Sequence, residues 1–134
     1  MTNNGRRELR VASIAEPVSH YTDAVVHGDL VYVSGCIGND TAGKIVDPDV
    51  AVQARQALAN VSDILAAAGS SVGNILKVTV FVTDMADRAA INVVRQEVFG
   101  TARPASTLVE VSALAVPGAK VEVEAVACIP AGTP

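Results

Sequence analysis

Near its C-terminal end the chain alternates charge with small apolar residues. Lys120, Glu122 and Glu124 interleave with Val121, Val123 and Ala125. In a strand, a period of two puts the charges on one face and the valines on the other. If the valines pack on helices, Glu122 and Glu124 line the open face of a sheet. That face is either plain solvated surface or a cleft, in which a carboxylate holds or deprotonates water. The segment before it, Arg103-Pro104-Ala105-Ser106-Thr107-Leu108-Val109-Glu110-Val111, alternates in the same way. Two such strands joined by a turn would put Ser106 and Glu122 on one surface. Ser34-Gly35-Cys36 ends another apolar run. Its small residues permit close approach of a ligand, or simply form a loop. Cys36 is a nucleophile only if its pKa is lowered, and no neighbouring base is evident.

Other chemistries find less support. His20, His27, Cys36 and Cys128 lack metal-ligand spacing. No phosphate loop or dinucleotide fingerprint is present. The patterns therefore point to no metal site and no nucleotide-cofactor site.

The elements that would position these residues follow from pattern. Residues 1–7 read as a polar, disordered tail that includes Arg6 and Arg7, with Arg10 beside it, and Leu9 to Ile14 as a weak first strand. Ala24 to His27 and Leu30 to Gly35 form a hairpin about Gly28-Asp29. Asp47-Pro48 starts a helix, with Asp47 as the cap and Pro48 in the first turn. Val50, Ala54, Leu58, Val61, Leu65 and Ala68 then mark one helical face, and Gly69 ends it. Ile75 to Val82 is a strand and Asp84 to Phe99 a second helix. The opening segments supply the last two strands, with a turn at Pro117-Gly118. The order β-β-β-α-β-α-β-β predicts a single α+β domain of two layers spanning residues 1–134.

The 134 residues suit one core. Half are hydrophobic but only 3% are aromatic, so the core is built from Val, Ala, Ile and Leu. Few charges and few aromatics together predict association of subunits. A net charge of −4, with scattered cations, disfavours a nucleic-acid surface. No apolar run approaches a membrane span, and the N-terminus lacks a signal-peptide core. A reduced, cytoplasmic protein is expected.

Several stretches resemble the reactive-intermediate deaminase family, also called the Rid, YjgF or endoribonuclease L-PSP family. They are YTDAVVHGDLVYVSG (Tyr21–Gly35), QARQALANVSDILAAAGSS (Gln53–Ser71), VTVFVTDMADRAAIN (Val78–Asn92), PASTLVEV (Pro104–Val111) and VEVEAVA (Val121–Ala127). The resemblance implies a chorismate-mutase-like fold and a homotrimer with a central β-barrel. It implies ligand clefts between subunits and hydrolysis of imines and enamines of small 2-keto acids without a cofactor. By motif it makes Glu122 the water-positioning group and Tyr21, Ser34 and Asn92 cleft residues. Backbone atoms near Leu108 complete the water site. Ser106 stands at the position of the family's carboxylate-binding arginine, Leu108 replaces the usual Cys or Thr, and Cys36 stands where many relatives carry Gln.

Three functions follow as expectations. The first is a hydrolase acting on a C–N bond of a small metabolite, with a substrate altered by the loss of arginine at 106. The second is a 2-iminopropanoate or 2-aminoacrylate deaminase in which Arg103 supplies the clamp. The third is a non-enzymatic trimeric module that binds ligands or acts as a chaperone. The acidic chain, lacking a His pair or basic stripe, disfavours ribonuclease chemistry.

Overall fold

The valine-rich alternation becomes one six-stranded sheet, and the two periodic segments become helices laid on one of its faces. The computed structural model describes residues 5–131. In chain order the elements are β1 (Arg6–Leu9), β2 (Ala24–His27), β3 (Leu30–Ile37), α1 (Val50–Ala67), β4 (Ile75–Val82), α2 (Arg88–Phe99), β5 (Ala105–Glu110) and β6 (Val121–Cys128). The order of strands across the sheet is β1-β2-β3-β6-β4-β5. Strand β6 runs antiparallel to both β3 and β4, and β4 runs parallel to β5. Each helix is therefore the crossover of a parallel strand-helix-strand unit, as such pairing requires.

The predicted order of elements matches, but some boundaries move. β1 spans Arg6–Leu9, so it shares only Leu9 with the strand expected over Leu9 to Ile14, and Arg6 and Arg7 pair with His27 and Val26 instead of lying in a disordered tail. The rest of the predicted tail, residues 1–4, lies outside the described residues. A short strand gains its stability from its neighbour, which a polar sequence does not reveal. Arg10 ends that strand in ion pairs with Asp23 and Glu16. Helix α1 starts two residues later than expected. Asp49, not Asp47, is its cap, accepting from the N–H groups of Ala51 and Val52 at 2.8 and 3.2 Å. Asp47 instead accepts from the N–H of Asp49. Gly69 follows α1 with φ +84°, the left-handed conformation expected after a helix end.

The core lies between the sheet and the helices. Val31, Val33, Val78, Val80, Val121 and Val123 meet Leu58, Val61, Ile64 and Leu65 there, all buried. One polar residue is fully enclosed with them. Gln53 on α1 donates to the carbonyls of Asp47 and Gly118 at 2.9 and 3.1 Å and accepts from the N–H of Lys120 at 2.8 Å. It thereby ties the Pro117-Gly118 turn to α1 and sets the start of β6, the strand that carries Glu122. Gln53→Leu would keep the volume but leave three part-buried backbone groups without partners. It is expected to cost about 2–4 kcal/mol, read by urea denaturation.

Candidate functional site

Strand pairing fixes which side chains share the open face of the sheet. Glu122 lies opposite Phe81 on β4, and Phe81 lies opposite Val109 on β5. The next row is Glu124, Thr79 and Thr107. Tyr32 on β3 faces Val126 on β6. The expectation that β6 presents its carboxylates away from the helices is met, because the alternating valines take the buried side.

Ser106 does not join that face. It pairs with Val78, and Leu108 with Val80, both on the helix side of the sheet. β5 and β6 are consecutive in the chain, but β4 lies between them in the sheet. Ser106 and Glu122 are thus on opposite faces of two strands that do not touch. Leu108 packs against the hydrophobic core. Arg103 is exposed in the approach to β5.

A pocket of about 500 Å³ opens beside β3, a volume suited to a small molecule. It forms where the sheet is incomplete. Strand β2 pairs only with residues Leu30 to Val33 of β3. Beyond that point β3 carries an irregularity between Val33 and Cys36, and residues 14–21 contribute the wall that a neighbouring strand would otherwise provide. Four predicted site residues meet in this pocket: Tyr21, Ser34, Cys36 and Glu122. The other four, Asn92, Arg103, Ser106 and Leu108, do not line it. They lie on α2, on β5 and in the segment leading to β5, at the far edge of the sheet.

Each pocket residue has a definite environment. Ser34 donates its hydroxyl to the carbonyl of Thr22 at 2.6 Å, so toward a ligand its oxygen is an acceptor. Asp23, buried, accepts from Arg10 and from the N–H of Val11. It ties Arg10 and Val11 to the start of β2 instead of facing a ligand with a free charge. Tyr21 is half exposed at the mouth. Cys36 is buried, and burial, then the charges of Asp23 and Glu122, push its pKa up to about 12. At neutral pH it is a thiol, which removes it as a nucleophile and leaves it as a small wall residue.

Glu122 is different. Among the described residues its carboxylate has no ion pair and no hydrogen bond. Burial, and secondly the charge of Glu124, raise its affinity for a proton. Such a group accepts a proton more readily than an ordinary carboxylate, which suits exchange with a bound water. It fits because Gly35 leaves room. A Cβ built on Gly35 would lie 2.7 Å from Cδ and 3.0 Å from Cγ of Glu122. The carboxylate therefore lies across the β3 backbone, at a position only glycine allows. Sequence reasoning saw Gly35 as access for a ligand, but the group that approaches is Glu122.

Sequence reasoning also missed Arg95. This residue on α2 donates from Nη2 to Oγ of Ser106 at 2.8 Å. Its spacing of three from Asn92 was the available signal, since residues three apart share a helix face. Among the described residues no group of three His, Cys, Asp or Glu side chains is placed to hold a metal. Cys36 and Cys128 are both free. Among the described residues no helix is long and apolar enough to cross a membrane.

Residues 12–129 match the family model described as endoribonuclease L-PSP. A RutC family protein of Pyrococcus horikoshii is 41% identical over 113 residues, covering 84% of this chain and 89% of its own. The 2-iminobutanoate/2-iminopropanoate deaminase of Capra hircus is 37% identical over 128 residues, covering 95% and 93% of the two chains. Among solved structures, E. coli TdcF with bound serine is 36% identical and superposes with a TM-score of 0.85, over 91% of this chain and 98% of that one.

Proposed function

Because the chain belongs to the endoribonuclease L-PSP (Rid/YjgF) family and has its chorismate-mutase-like fold, we propose that it hydrolyses the C–N double bond of a small imine. Enamines enter the same path as their imine tautomers. The observation that carries this reading is Glu122, an unpaired carboxylate of raised proton affinity in a pocket of small-molecule size.

The steps balance with water alone. Glu122 accepts a hydrogen bond from water and takes its proton as the oxygen attacks the imine carbon. The C–N π electrons move to nitrogen. Glu122 then returns the proton to nitrogen in the carbinolamine. Glu122 next takes the hydroxyl proton and passes it to the same nitrogen as the C–N bond breaks, so ammonia leaves and the C–O bond becomes the carbonyl of the product. General-base assistance of this kind contributes roughly 10²–10⁴-fold.

The working unit in this reading is a homotrimer. Tyr32, Phe81, Val109 and Val126 place apolar surface on the open sheet face beside the carboxylates. Such a patch is suited to a subunit contact. The resemblance implies clefts between subunits, and in this reading the β5–α2 edge of one copy, with Asn92 and Leu108, completes the Glu122 pocket of the next. A relative that holds serine supports a ligand the size of an amino acid.

The test supplies 2-iminobutanoate in situ from a pyridoxal-phosphate dehydratase and follows 2-oxobutanoate. The protein is expected to speed product formation beyond the spontaneous rate. No acceleration with this imine or with 2-aminoacrylate would overturn the assignment.

A further inference from the structure

The guanidinium of Arg95 lacks what the other well-placed arginines have. Arg6 pairs with Glu8, Arg10 with Asp23 and Glu16, and Arg55 with Glu97. Among the described residues Arg95 has no carboxylate within 4.0 Å. Its hydrogen bond goes to a neutral hydroxyl, Oγ of Ser106 at 2.8 Å. It is also half-buried, and burial lowers its pKa. A cation that gives up part of its hydration and gains only a neutral acceptor leaves an anion site unfilled.

The surroundings complete the site. Ser106 accepts from Arg95, so its own hydroxyl proton remains available to an anion. Asn92 lies one turn earlier on α2, half-buried like Arg95. The remaining N–H groups of the guanidinium form a planar fork that matches the two oxygens of a carboxylate. Ser106 lies on β5, the edge strand of the sheet, and Arg95 reaches it from α2.

We infer that Arg95, buttressed by Ser106 and flanked by Asn92, binds the carboxylate of a short 2-oxo or 2-imino acid. The inference rests on the shared cleft proposed above, in which this edge faces the Glu122 pocket of a neighbouring copy. It assigns the clamp to α2 and not to Arg103. It also fits a short acid, because the helix delivers a positive charge to β5 beside Ser106.

The experiment titrates 2-oxobutanoate into the intact protein by calorimetry, with inorganic phosphate as a second probe. Wild type is expected to bind the oxo acid at millimolar concentration or below. Arg95→Met is expected to weaken binding about ten- to a hundredfold, the loss of one charge-assisted fork. Arg95→Lys keeps the charge and the stem, guards against a folding defect, and is expected to fall between the two. Arg103→Ala is expected to bind as wild type does. Glu122→Gln is expected to keep binding while losing turnover, so failure of the hydrolase reading and failure of this site are separable. The inference is overturned if wild type does not bind the oxo acid, if it binds only phosphate, or if Arg103→Ala carries the loss. It is overturned equally if Arg95→Met dissociates the oligomer, since Arg95 would then pair with a neighbouring copy's carboxylate.

Discussion

Glu122→Gln is expected to lower kcat/KM for imine hydrolysis by about 10²–10⁴-fold, the range for loss of a positioned general base. Glutamine keeps the size of the side chain and can still hold a water, but it cannot take the proton. The same change is expected to stabilise the fold at neutral pH. Burial and Glu124 raise the proton affinity of Glu122 in the folded state, so the folded chain binds this proton more tightly than the unfolded chain does. Ionising the group therefore costs stability. The cost is absent below the unfolded-state pKa of about 4.3, grows as the pH rises from there to the raised folded-state pKa, and is constant above it. Denaturant titrations should show the glutamine variant ahead of wild type at pH 7 and level with it at low pH. A group lost from the core would give the opposite sign, which separates a functional carboxylate from a structural one.

Gly35→Ala should have the second largest effect. The added methyl group would overlap the Glu122 side chain, with Cδ at 2.7 Å and Cγ at 3.0 Å. What it meets is the far end of a flexible side chain, so the fold tolerates it and the carboxylate moves aside. A displacement of about 1 Å is enough for roughly a hundredfold loss of rate, with little change in denaturation midpoint. The pair should also be strongly non-additive. Once Gly35→Ala has displaced the carboxylate, Glu122→Gln should add far less to the loss than it does in wild type. Equal losses in both backgrounds would mean that Gly35 acts on something other than Glu122.

The alternation of β6 and the periodicity of α1 were readable because burial imposes those periods on sequence. The bounds of β4 at Ile75 and Val82 were readable too, although Leu76 is exposed where the register shifts. Glu122 followed from the same alternation, and so did its separation from the core. What required three dimensions was the identity of neighbours. Ser106 was assigned to the wrong face because β5 and β6 look like hairpin partners when the chain is read in order, and β4 intervenes only in the fold. The strand at Arg6 has no apolar pattern and depends on pairing with β2. Gly35 carries no side chain to signal that Glu122 lies over it. The sequence does not single out Arg95, and only its hydrogen bond to Ser106, eleven residues on, shows that it turns toward β5.

The most direct measurement of the central claim is the fraction of 2-iminobutanoate that escapes to semicarbazide, with wild type and Glu122→Gln compared at equal concentration. Wild type should deplete the trapped imine in proportion to the protein added, while the glutamine variant should leave it at the level without protein. If the two proteins deplete it equally, or wild type leaves it untouched, Glu122 is not the base of an imine hydrolase in this chain.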